Sequence, residues 1–215
     1  MDWFGADPGG ACDGKSCFGV AWLRKNGMFE SSVTDCAHSA FRWIQKRSVL
    51  PAAIGIDCPL WWSSLKGGER QVDTLLRKKY RDNIGQSVQS LNSLPGAVLV
   101  QGMMLACAAR KHWKDVKITE THPRALIRMM HLDKEPWSTI AEKFDLDGPE
   151  PETVDQMDAL LSAAVARNGY KHFWTVDLTN VISILFAKED IDLPLSAFQR
   201  RPPKRAINPY CRGQH

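Results

Sequence analysis

Long apolar runs are missing from this 215-residue chain. The most apolar stretch, 96–109, is interrupted by Gln101 and falls short of the roughly 18 residues that a membrane-spanning helix needs, so no membrane partner is expected. Paired cysteine motifs are missing too. Cys12, Cys17, Cys36, Cys58, Cys107 and Cys211 include no Cys-x-x-Cys, and a zinc site on Cys12 and Cys17 would lack a second ligand pair. The opening Met-Asp-Trp-Phe has an acid where an export signal carries positive charge. The cysteines therefore read as free thiols, and a cytoplasmic location is the expectation. No internal repeat or low-complexity tract occurs, and 44% hydrophobic with 24% charged residues is ordinary globular composition. That excludes collagen-like chains, coiled coils and wholesale disorder. Acids are absent from residues 199–215, which hold Arg200, Arg201, Lys204, Arg205 and Arg212. Against a net charge of only +4 for the whole chain, this makes the body near neutral and the tail cationic. Pro202, Pro203 and Pro209 forbid a continuous helix there. The expected organisation is one domain over 1–198 and a flexible basic tail over 199–215.

What is present alternates between the strand and helix periods. Residues up to Asp7 read as a strand that breaks at Pro8-Gly9-Gly10. Residues 18–23 and 28–33 read as strands joined by an Asn26-Gly27 hairpin turn. An amphipathic helix is expected over 38–47, and a buried parallel strand over 52–56, stopped by Pro59. Further helices are expected over 69–81 and 95–111, then a strand over 116–121 and a short helix over 124–131. Residues 132–150 read as a surface loop with at most one helical turn. A final helix is expected from Val154 to Asn168, with an apolar stripe from Val154 through Val165 and Gly169 as its C-cap. Residues 173–198 are apolar and ambiguous. The pattern predicts an α/β domain, a mixed β-sheet flanked by helices on both faces.

The informative observation is where the acids fall. Asp7, Asp57 and Glu120 each stand at the end of an expected strand, where ligand sites of open α/β sheets gather. Asp155 and Asp158 are three apart on the last helix and share a face. Carboxylates drawn that close repel unless a cation lies among them. Oxygen ligands of this kind suit Mg2+ or Mn2+. Taken singly, Asp7 and Asp57 are also ordinary turn formers, and Asp155 favours a helix N-terminus for its charge alone.

The segments FGADPGG, AIGIDCPL, ITETHPRAL and VDQMDALLSAAVA, in that order, resemble the DUF429 family of predicted nucleases over about residues 3–168. The Asp-x-x-Asp-Ala of the last helix is also similar to that of RuvC-type Holliday-junction resolvases, and Glu69-Arg70 with Asp73 and Arg77 resembles the family's Arg/Asp/Arg helix. The resemblance implies a ribonuclease H-like fold. It implies catalytic carboxylates Asp7, Asp57, Glu120 and Asp158, which hold one or two divalent ions, with Asp155 as a fifth ligand or a neighbour. The chemistry implied is phosphodiester hydrolysis of a nucleic acid.

Arg70, Arg77, Lys78, Lys79 and Arg81 are candidate phosphate contacts, as are His122 and Arg124, although a charge run is more often a solvated helix face. Trp61-Trp62 is a candidate stacking platform. Two departures from the family carry an alternative: Pro8-Gly9-Gly10 follows the first acid, and Val154 opens the last helix where an acid is usual. On that alternative the chain keeps the fold and binds nucleic acid without cleaving it. A third reading, an ATP-dependent phosphotransferase of the same fold, rests on the Gly-rich turn after Asp7.

Overall fold

The computed structural model describes residues 1–9, 18–48, 50–60, 70, 73–74, 77–78, 88–89 and 94–171, and the backbone of 196–199. Three antiparallel strands come first: β1 (Asp2–Pro8), β2 (Phe18–Arg24) and β3 (Phe29–Thr34). The β2–β3 turn is the expected Asn-Gly signal at work. Gly27 adopts φ +88, a conformation open to glycine, and Asn26 Oδ1 accepts from the Met28 amide at 3.3 Å. Helix α1 (Ala37–Arg47) follows, then β4 (Ala53–Ile56), parallel to β1. Helix α2 (Gly96–His112) returns the chain to β5 (Lys117–Thr121), parallel to β4. Helices α3 (Pro123–Met129), α4 (Trp137–Lys143) and α5 (Val154–Tyr170) complete the body. Backbone Ser196–Gln199 forms β6, antiparallel on the free edge of β5, so the sheet order is β3-β2-β1-β4-β5-β6. The result is a single α/β domain with a mixed sheet flanked by helices.

The faces follow from the two-residue period of a strand. Phe4, Ala6 and Pro8 look toward α1 and α2: Phe4 meets Trp43 edge-on at 6.4 Å, and Pro8 lies against Gly102. Trp3, Gly5 and Asp7 look toward α5, where Trp3 meets Tyr170 at 6.5 Å. Between the layers lies a continuous core that includes Phe4, Phe18, Ile54, Ile56, Leu105 and Ile118, all fully buried.

Helix α5 presses its backbone onto the sheet along a track of glycines. A Cβ on Gly19 would lie 2.0 Å from the Asp155 carbonyl oxygen, one on Gly5 1.8 Å from that of Ala159, and one on Gly55 2.1 Å from that of Ser162. The track crosses β2, β1 and β4 in turn, and only residues without a side chain permit it. The helix starts with a reciprocal cap in which Thr153 accepts from the Gln156 amide and the Gln156 side chain accepts from the Thr153 amide.

Several expectations are corrected. The 132–150 segment contains α4, two turns of helix, held where the buried Arg167 donates to the carbonyls of Phe144 and Asp145. Gly169 is not the C-cap of α5, which runs on to Tyr170 because Trp3 packs against its last turn. Val154 is not part of an apolar stripe, being 62% exposed. Instead α5 is buried on nearly all sides from Asp158 to Arg167, with the sheet and α3 packed against it. In the 69–81 segment, 73–74 and 77–78 are helical. Cys12, Cys17, Trp61, Trp62, Lys79, Arg81 and the tail beyond Gln199 lie outside the described residues. No helix among the described residues is long and apolar enough to cross a membrane.

Candidate functional site

The parallel register decides which acids meet. Ala6 pairs with Ile56, and the Asp57 amide donates to the Ala6 carbonyl at 2.8 Å. Asp7 and Asp57 are therefore the next residues along two neighbouring strands, and both follow a glycine by two positions. They stand on the α5 face, beyond Gly5 and Gly55. One turn past the Gly19 contact at Asp155, helix α5 brings in Asp158. Asp7 and Asp57 are half-buried, and Asp158 is buried.

The electrostatics register this convergence. Burial, then the charges of Asp158 and Asp155, push the Asp7 carboxyl well above the usual carboxylate range, and Arg124 opposes them. Burial, then Asp7 and Asp158, do the same to Asp57. Asp158 is raised by burial to about 6 despite its bond to Arg124. That bond runs from Arg124 Nε to Asp158 Oδ2 at 2.8 Å. The other oxygen, Oδ1, is buried and has no hydrogen-bond partner. A buried carboxylate oxygen left without a donor is costly, and a cation is the natural partner for it.

Glu120 belongs elsewhere. Thr121 Oγ1 shares a 2.7 Å hydrogen bond with Ser162 of α5, so Thr119 and Thr121 take the α5 face of β5 and Glu120 takes the opposite one. There Arg70 spans two acids. Its Nη1 and Nη2 donate to Glu120 at 2.8 and 2.6 Å, and its Nε donates to Asp73 at 2.7 Å. Glu120 also accepts from the Leu60 amide at 3.0 Å and contacts His122 Nε2 at 3.2 Å. Burial alone would raise Glu120, but Arg70 and His122 together hold it at about 2. The bond to Leu60 ties the turn after Asp57 to β5, which makes Glu120 a strut for that turn.

Arg70 itself is 2% exposed. The expectation that it contacts a phosphate is corrected: its fork is spent on Asp73 and Glu120. Arg77 donates to the Val88 carbonyl at 3.3 Å, while Lys78 is exposed and open to a partner. His122 precedes α3 without capping it by a side-chain bond. Arg124 has a half-exposed side chain.

Among the described residues, Asp73, Glu120 and His122 form the set of potential metal ligands whose atoms all lie within 4.8 Å of one another. Arg70 already supplies the positive charge between two of them, so this trio is an ion-pair network with its cation built in. Asp7, Asp57 and Asp158 are spaced more widely.

Sequence reasoning missed the glycine track and the Arg124–Asp158 bond. The first had a signal: FGAD and IGID both end in Gly-x-Asp, a glycine and an acid on one face of a strand. Glu120 lacks it, since Ile118 stands two before. No family model matches this chain, and no curated protein or solved structure does either.

Proposed function

We propose that this protein is a divalent-metal-dependent nuclease of ribonuclease H-like fold, in which Asp7, Asp57 and Asp158 hold Mg2+ or Mn2+. Asp155 stands at the margin of that set. One observation carries the reading: two strand-end aspartates and a helix aspartate share one edge of the sheet, and one oxygen of Asp158 is buried without a partner. The donors are hard carboxylate oxygens, which fit these ions better than zinc. When bound, such ions supply an activated water and neutralise charge on the leaving oxygen.

The chain's own residues do the rest. The parallel pairing of β1 and β4 fixes the spacing of Asp7 and Asp57. The glycine track sets the depth of Asp158, and the Glu120–Leu60 bond steadies the turn beside Asp57. Exposed Lys78 and the half-exposed Arg124 are the available cations for substrate phosphates.

The test is degradation of labelled single- and double-stranded DNA and RNA with magnesium or manganese, run beside ATP hydrolysis. Cleavage lost in Asp57→Asn supports the reading. ATP hydrolysis without cleavage points to a phosphotransferase. Nucleic-acid binding with no cleavage under any ion points to a binding module.

A further inference from the structure

Two arginines reach the strand ends, and they are built differently. Arg70 is 2% exposed and locked by forks to two carboxylates. Arg124 has a side chain 48% exposed and makes one hydrogen bond, from Nε to Asp158 Oδ2 at 2.8 Å. It stands at the start of α3, directly after β5, close enough to Asp7, Asp57 and Asp158 to act on the charge of all three. Of the two oxygens of Asp158, one is held by Arg124 and the other is buried and unpartnered.

We propose that Arg124 is a tethered counter-ion that occupies the carboxylate site when no divalent ion is bound and is displaced from Asp158 when one binds. This rests on the metal site proposed above. Three acids this close repel one another when ionised, and a monocation on a half-exposed side chain is one the protein withdraws without unfolding. Removing Asp158 Oδ2 from Arg124 gives an incoming ion both oxygens of that carboxylate. The cost is a weaker apparent affinity than the carboxylates alone would have, because the ion must displace the guanidinium and bind near its charge. Arg124 therefore sets the concentration of metal at which the site fills.

The experiment is calorimetric titration of the full chain with Mn2+ alone, without nucleic acid, on the wild type, Arg124→Gln and Arg124→Lys. Loss of one neighbouring charge should tighten Mn2+ binding about tenfold in Arg124→Gln, the size expected of a unit charge a few ångströms from a divalent ion. Arg124→Lys keeps the charge and should stay near the wild type. Unchanged or weaker binding in Arg124→Gln, with measurable binding in the wild type, overturns the counter-ion role and leaves the metal site standing. No Mn2+ binding by the wild type at millimolar concentration overturns both. Circular dichroism of each variant checks that the fold is retained.

Discussion

The Cβ that Gly5 lacks would lie 1.8 Å from the carbonyl oxygen of Ala159 and 2.4 Å from the amide nitrogen of Ala163. Both are backbone atoms of a buried helix, so neither yields cheaply. The contact sets how far α5 descends onto β1, and with it the position of Asp158 one residue earlier on that helix.

Gly5→Ala should therefore destabilise the protein by ~3 kcal/mol or more, the upper end of overpacking costs. Gly96→Ala is the control. Its added Cβ meets nothing within 4 Å, and the result should lie between neutral and ~1 kcal/mol more stable. Urea denaturation of both variants measures this, and equal stabilities would refute the glycine track.

Magnesium or manganese should raise the melting temperature of the wild type, because the carboxylate set exists only in the folded state. At a hundred times the dissociation constant the gain is about 2.7 kcal/mol, which is several degrees for a chain of this size. Asp7→Asn should abolish the rise. Its metal-free form should melt no lower than the wild type, since one repelling charge is gone. A wild type indifferent to millimolar divalent ions would sink the site.

The pH dependence has two opposite limbs. Asp158 is raised to about 6 in the fold, and Asp7 and Asp57 are raised as well. The folded state thus holds protons that the unfolded chain has lost, so metal-free stability falls as pH rises from about 4 through 6. Glu120 is lowered to about 2, and its contribution is present above about 4.5 and lost as pH falls toward 2. Metal-free melting temperature should pass through a maximum near pH 4–5, and added magnesium should raise the limb above pH 6. Melting temperature that climbs steadily from pH 4 to 7 without metal would contradict the raised carboxyls.

Glu120→Gln separates a strut from a ligand. Removing one partner of the buried Arg70 network should cost about 3–5 kcal/mol even without metal. The melting shift produced by magnesium should survive, because Asp7, Asp57 and Asp158 are untouched. A variant of full stability that no longer responds to magnesium would return Glu120 to the ligand set.

Much of the architecture was legible in the chain itself. The Asn26-Gly27 turn and the apolar run ending at Asp57 are local signals, and β2, β3 and β4 follow from them within a residue or two. The three strand-end acids were legible for the same reason, since Pro and Gly residues mark where strands stop.

Tertiary structure decided which of those acids meet. Whether a strand-end acid joins the site depends on which face it takes, and that parity is set by register against a neighbouring strand. Ile56 pairs with Glu120, so Asp57 and Glu120 face opposite ways. Arg70 was read as a surface cation because a helix face is written in sequence the same way whether solvent or a carboxylate covers it. Only the packed sheet supplies Glu120 fifty residues away as its partner. Sequence alone determined which residues carry charge and where strands end. The register of β1, β4 and β5, and the depth of α5 on its glycines, determined which charges meet.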